Sequence, residues 1–263
     1  MHPALATTLF DRPTPTLRVL GRIRTASNAT YLAEVDAVGV GEAPVRCVWK
    51  PVAGERPLWD FPDGTLAARE AAAYALSAAA GFDVVPTTRL VRSSAGEGAV
   101  QTWVEIDEDL EDLVGLAPAD RIPPGWLGVV DAVDAYGRDV TLVHRDDPRL
   151  RRLALFDAVS NNADRKRVHL LPSQGSVLGC DHGLCFHVEP KLRTVLWGWA
   201  GACLDREETA LLERTRTVAG EVLDGLLTGA EIAAVVVRAE ALLAAGALPG
   251  PQDTWPSIPW PPL

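Results

Sequence analysis

Apolar and polar residues alternate along 17–35, LRVLGRIRTASNATYLAEV, first at Leu17, Val19 and Leu20, then at Tyr31, Ala33 and Val35. That period predicts two short strands around the small, polar turn GRIRTASNAT. A second turn, DAVGVGEAP, leads into VRCVWKP, a third strand that Pro51 should end. Residues 65–80, TLAAREAAAYALSAAA, predict a helix: alanine dominates, Thr65 stands at the N-cap and Gly81 at the C′ position. FDVVPTTRLV and EGAVQTWVEI follow as two strands around SSAGEG. The first half thus reads β-β-β-α-β-β.

Beyond Asp107 the pattern lengthens. GLAPADRIPPGW reads as a Pro/Gly-rich connection, and LGVVDAVDAYGRDVT as helical at its start. DPRLRRLALFDAVS predicts a helix with Asp147 as N-cap and Pro148 at the first helical position. SVLGCDHGLCFH reads as β-rich, and two capping boxes, Asp205 with Glu208 and Thr228 with Glu231, announce two C-terminal helices. The expected organisation is an N-terminal arm (1–16), a β-rich N-lobe (17–106), a helical C-lobe (107–247) and a Pro-rich tail (248–263) whose Trp255 and Trp260 pack back on the body.

With 263 residues, 48% apolar and 23% charged, the chain buries a real core as one large domain or two small lobes. A net charge of −10 argues against nucleic acid as a partner. Arginines and a lysine are nevertheless dense at Arg149, Arg151, Arg152, Arg165, Lys166 and Arg167, which leaves open a patch for a phosphate-bearing ligand. No apolar run approaches bilayer-spanning length, so stable membrane insertion is not expected and the chain reads as a cytoplasmic monomer. Cys47, Cys180, Cys185 and Cys203 contain no CxxC pair, which fits reduced thiols.

The densest polar cluster is NNADRKRVH, between apolar runs. Taken with the rest of the chain it supplies each part that phosphoryl transfer needs. Lys50, the only Lys before Lys166, ends a predicted strand, and Glu70 lies on the predicted helix. Asp164 opens DRKRVH, His169 follows, and Asp181 opens DHG. Singly, each has an ordinary explanation as a surface pair or a turn. Their order on these element types is what points to a two-lobed, α+β, protein-kinase-like fold with a small N-lobe carrying one helix and a larger, mainly helical C-lobe.

The D-R-x-x-x-x then D-x-G pattern resembles the catalytic and metal-binding loops of the phosphatidylinositol 3- and 4-kinase superfamily, DRHxxN then DFG. ASNATYLAEV, WKPVAGERPLWDFPDGTLAAREAAAYAL, NNADRK and DHGLCFH further resemble an actinobacterial family of short phosphatidylinositol-kinase-like proteins, over most of residues 20–245. HipA-type kinases share the plan.

The resemblance implies an ATP-dependent phosphotransferase with Mg²⁺ or Mn²⁺ and an unidentified hydroxyl acceptor. Asp164 is then the catalytic Asp, Lys50 the phosphate-binding Lys, Glu70 its partner and Asp181 a metal ligand. His169 stands where the superfamily has a metal-binding Asn, and imidazole suits Mn²⁺ or Zn²⁺ better than Mg²⁺. Ser27, Asn28, Ala29 and Thr30 cover the phosphates without a run of glycines. Gln101 to Glu105 form the hinge beside the adenine, with Val104 and Glu105 as the contacts.

Two other readings stay open. A pseudokinase or nucleotide-binding adaptor follows if His169 blocks productive metal binding. Cys180, His182, Cys185 and His187 suggest zinc, although a strand would point them to alternate faces. HRDD, from His144 to Asp147, mimics a protein-kinase motif but has Arg151 where Asn belongs, so a helix-capping loop is expected there. Trp49, Trp59, Trp103, Trp126, Trp197 and Trp199 are expected in the core or between lobes.

Overall fold

The computed structural model describes residues 16–23, 28–36, 43–56, 58, 60–61, 65–107, 113–252 and 256–263. The first half forms β1 (Leu17–Arg22), β2 (Tyr31–Val35), β3 (Val45–Pro51), helix α1 (Leu66–Ala80), β4 (Thr88–Ser93) and β5 (Gly96–Thr102). The five strands make one antiparallel sheet in the order β1-β2-β3-β5-β4, as the alternation predicts. Period 2 puts Cys47 and Trp49 on the face they share with Ala33, Val35, Val91 and Val100, a small core of its own. It puts Lys50, paired with Ala99 on β5, on the opposite face.

Helix α1 does not belong to that small core. Ala72, Ala73, Leu76 and Ala80 pack with the C-terminal half, in the larger core built around Leu150, Leu153, Phe156, Leu211 and Leu212. Alanines let the backbone approach closely, and polar tethers reinforce the contact: Arg69 donates to the Cys185 carbonyl at 2.6 Å and pairs with Glu231, while Arg214 Nε donates to the Ala80 carbonyl at 2.7 Å. Gly81 adopts the left-handed C-cap conformation as expected. Thr65 does not cap through its side chain; the Glu55 carboxylate accepts the Leu66 and Ala67 N–H groups instead, at 3.2 and 2.8 Å.

The second half departs from the expected pattern at its start. Residues read as connection and helix form β6 (Val114–Pro118), β7 (Trp126–Val133) and β8 (Asp139–Arg145), an antiparallel sheet in the order β6-β8-β7. The reason lies in β8, whose continuous run from Val140 to His144 is buried and needs a partner on each side. β7, an edge strand exposed along much of its length, has a blurred apolar period that passes for a helix. Gly115 and Pro118 are tolerated because β6 is the other edge.

Helices α2 (Pro148–Ser160), α3 (Arg206–Val222) and α4 (Gly229–Ala245) then follow with their expected caps: Asp147 accepts the Arg149 N–H, and both capping boxes form. Between α2 and α3 lies a hairpin of β9 (Leu170–Ser173) and β10 (Ser176–Gly179). The stretch expected to be β-rich leaves the sheet at Gly179, and Cys180 to His187 run irregularly. The tail packs back through main-chain acceptors, Ser257 O to Thr194 N and Trp197 Nε1, Pro262 O to Arg167 N. Trp260 is 85% exposed and takes no part, and Trp255 lies outside the described residues. No helix among the described residues is long and apolar enough to cross a membrane.

Candidate active site

Four segments deliver charged side chains to one cleft. β3 brings Lys50, whose Nζ pairs with Glu70 Oε1 of α1 and lies 2.9 Å from Asp181 Oδ1. Burial alone would lower the Lys50 pKa, but the flanking carboxylates of Asp181 and Glu70 outweigh it and raise it, so the ammonium stays charged. Reciprocally, the Lys50 charge holds the Asp181 carboxyl below its usual range against its own desolvation. Asp181 sits in the left-handed region (φ 62°), which aspartate tolerates better than most residues. Gly183, two residues on, lets the turn lie against α1, since a Cβ there would meet Leu66 Cβ at 3.3 Å.

Asp164 follows α2 by way of Asn161, itself left-handed, and Asn162, whose side-chain oxygen accepts the Asp164 N–H at 3.0 Å. Its carboxylate is half-buried and lies 3.0 Å from Lys166 Nζ; desolvation raises its pKa while Lys166 opposes the rise.

Behind it the wholly buried Arg165 spends every guanidinium donor. It forms a fork on Asp157 of α2 (2.8 and 2.9 Å), reaches the carbonyls of Cys180 (2.8 Å) and His169 (3.3 Å), and meets His182 Nε2 at 2.8 Å. One cation therefore fixes the segments that carry Asp164, His169 and Asp181 relative to α2.

His169 Nε2 lies 3.4 Å from Asp181 Oδ2. Burial lowers its pKa to about 4, against the pull of Asp181, so the ring is neutral near pH 7. Its Nδ1 accepts the Lys166 N–H at 3.4 Å, which puts the ring proton on Nε2, facing Asp181.

Lys50, Glu70, Asp164 and Asp181 line one cavity of about 310 Å³ together with Asn28, Ala29 and Thr30. Ser27 lies outside the described residues. Val104 and Glu105 do not line this cavity: they lie in the link after β5, with Glu105 exposed and 3.7 Å from Arg46. Two charged lining residues escaped the sequence reading, Glu55 and Arg56, in the segment between β3 and α1. Charge in a Gly-Glu-Arg-Pro stretch was their only signal.

For a divalent ion the cleft would offer the Asp181 carboxylate, the donor type that Mg²⁺ and Mn²⁺ prefer, with the His169 imidazole 3.4 Å from it. Among the described residues no three His, Cys, Asp or Glu side chains form a ready-made cage. That donor set fits an ion carried largely by substrate phosphates, the usual arrangement for Mg²⁺.

The remaining candidates resolve into structure. HRDD is the β8–α2 junction: buried His144 accepts the Gly198 N–H at 2.9 Å and packs on Trp199, and Asp147 caps α2. Arg149, Arg151 and Arg152 are paired with Asp147, Glu208 and Glu207, so the dense basic run is neutralised locally. Of the four zinc candidates, His182 is held by Arg165, His187 packs edge-on against Phe61, and burial pushes the Cys180 thiol up to about 12 and raises that of Cys185 as well. Trp49, Trp197 and Trp199 are buried as expected, whereas Trp103 is 37% exposed, Trp126 stacks under Arg145, and Trp59 lies outside the described residues.

No family model matches the chain. It is 50% identical over 258 residues to Protein Rv2133c of Mycobacterium tuberculosis (strain ATCC 25618 / H37Rv), covering 93% of this chain and 91% of that protein. Among solved structures, the golgi casein kinase superposes with a TM-score of 0.53 at 13% identity, over 92% of this chain and 76% of that one. Hydra Fam20, solved with sugar, gives 0.46 at 13% identity, over 90% and 86%. The likeness to the casein kinase shows the fold: two-lobed, α+β and kinase-like.

Proposed function

We propose that this chain, which belongs to the family of Protein Rv2133c, is an ATP-dependent phosphotransferase with a phosphatidylinositol 3-/4-kinase-like loop pattern. The observation that carries the reading is the convergence of Lys50, Glu70, Asp164 and Asp181, from four separated segments, on one cavity of a kinase-like fold. A structural ion pair needs no cavity, and a solvated turn needs no buried arginine behind it.

In this reading Lys50 exchanges its contact with Asp181 for the nucleotide phosphates, and Glu70 keeps the ammonium in place. Asn28, Ala29 and Thr30 cover the phosphates. Asp181 and His169 would hold the divalent ion, His169 by shifting its proton to Nδ1 and giving up the contact with the Lys166 N–H; when bound, the ion would neutralise developing phosphate charge. Asp164 orients the acceptor hydroxyl and takes its proton as the acceptor oxygen bonds to the γ-phosphorus. The bond from that phosphorus to the bridging oxygen breaks, and ADP leaves. The work is positioning and charge neutralisation.

A second reading, a nucleotide-binding adaptor, is favoured by one observation: His169, buried and neutral, stands 3.4 Å from Asp181 where the loop pattern calls for a metal-binding Asn. Incubation with γ-labelled ATP and Mg²⁺ or Mn²⁺ separates the two. Self-labelling or ATP turnover by the parent, lost in Asp164→Asn, supports transfer; a parent that binds ATP and releases no labelled product is an adaptor.

A further inference from the structure

The cleft is roofed without a glycine-rich loop, and the roof is made of two segments. The Ala29 N–H donates to the Gly54 carbonyl at 3.4 Å, and the Arg56 N–H donates to Asn28 Oδ1 at 3.3 Å. The two run so close that a Cβ on Gly54 would stand 2.4 Å from Ala29 Cβ. Residues 54–56 are therefore clamped to the turn over the cavity, with the Glu55 carboxylate spent on the first N–H groups of α1. That leaves Arg56, which lines the cavity.

The other charges of the lining are engaged. Lys50 sits between Glu70 and Asp181, Asp164 is paired with Lys166, and Glu55 caps α1. Among the described lining residues, Arg56 is the cation with no carboxylate on its guanidinium. An exposed arginine is ordinarily a solvated surface charge. Here the backbone beneath it is held over a cavity whose carboxylates outnumber its cations, a poor place for a polyphosphate unless a cation is supplied.

We propose that Arg56 is a nucleotide-binding residue, its guanidinium gripping phosphate oxygens of the polyphosphate and doing what the backbone amides of a glycine-rich loop would do. A planar guanidinium matches two phosphate oxygens at once, which a lysine does not. This rests on the nucleotide reading above and adds a residue and a chemical preference to it: the site grips the polyphosphate rather than the nucleoside.

Calorimetric titration of ATP, ADP and AMP, each with Mg²⁺, into the parent, Arg56→Lys and Arg56→Ala tests it. Loss of a charge-assisted contact weakens ATP binding about 10- to 100-fold in Arg56→Ala, with AMP changing less than about 3-fold. Arg56→Lys regains part of the loss. Circular dichroism and an unchanged melting temperature confirm that the exposed side chain was removed without unfolding. Equal weakening of ATP and AMP, or undiminished ATP affinity in Arg56→Ala, overturns the assignment. A parent that binds no nucleotide overturns the nucleotide reading itself, and this inference with it.

Discussion

Lys50 Nζ lies 2.9 Å from Asp181 Oδ1 while also pairing with Glu70, so one ammonium ties the N-terminal sheet to two segments of the larger core. Glu70 is almost fully buried, with a side-chain exposure of 3%, and Asp181 is 54% exposed, so the penalty of losing Lys50 falls mainly on Glu70. Lys50→Met is expected to cost about 3 kcal/mol in denaturant unfolding, the range for stranding one partner of a buried pair. The double variant Lys50→Met/Glu70→Leu is expected to cost less than Lys50→Met alone. A double variant worse than the single would show that Glu70 is satisfied without Lys50.

The Arg165–Asp157 fork is buried at both ends, with no exposure of either side chain. Asp157→Asn keeps the shape but leaves the guanidinium without a counter-charge. It is expected to lose about 3–5 kcal/mol of stability. Thermal unfolding checks this, and a loss within about 0.5 kcal/mol, typical of a surface change, would contradict it.

Glu55 caps α1 from outside the helix, through the Leu66 and Ala67 N–H groups. Glu55→Ala is expected to destabilise by about 1 kcal/mol, the usual worth of an N-terminal cap, and Glu55→Gln by less because the amide oxygen still accepts. Chemical denaturation of the three proteins gives the ranking; Gln as damaging as Ala would mean that charge, not hydrogen bonding, carries the cap.

Three buried histidines set the acid side of the stability profile: burial lowers the pKa of His144, and two more stand at the site. Burial lowers His169 to about 4, and burial with the Arg165 charge lowers His182 well below its ordinary value. The unfolded chain binds protons on all three near pH 6.5 more readily than the folded one, so stability falls as pH drops from about 6.5 toward about 4. Asp181, held low, works in the same sense but only from about pH 3.8 downward, where its own contribution is lost. The melting temperature is expected to fall between pH 7 and pH 5. Replacing His182 by Gln, which cannot titrate, should flatten that slope, and an unchanged slope in both His182→Gln and His169→Gln would refute the assignment.

Much of this molecule is legible in its sequence where one local rule decides. The strand alternation of β1 to β5, the Asp147–Pro148 start of α2 and the capping boxes at Asp205 and Thr228 were read correctly because each is set within a few residues. β7 was misread because an edge strand's pattern has meaning only once buried β8 lies beside it. At the site, Lys50, Glu70, Asp164 and Asp181 were named by their order along the chain. The roles of Glu55, Arg56 and Arg165 were not, because they depend on which neighbouring charges are already spent. Arg165 stood in a run read as a basic patch, and it proves to be wholly buried.

A nucleotide site that needs a divalent ion is proposed at Lys50 and Asp181. Its most direct test is calorimetric titration of ATP into the parent and into Asp181→Ala, with Mg²⁺, with Mn²⁺ and with neither. Binding is expected to require a divalent ion in the parent and to fall at least about 10-fold in the variant, the loss of one charge-assisted interaction. No binding by the parent under any metal, or binding indifferent to both the metal and Asp181, would contradict it.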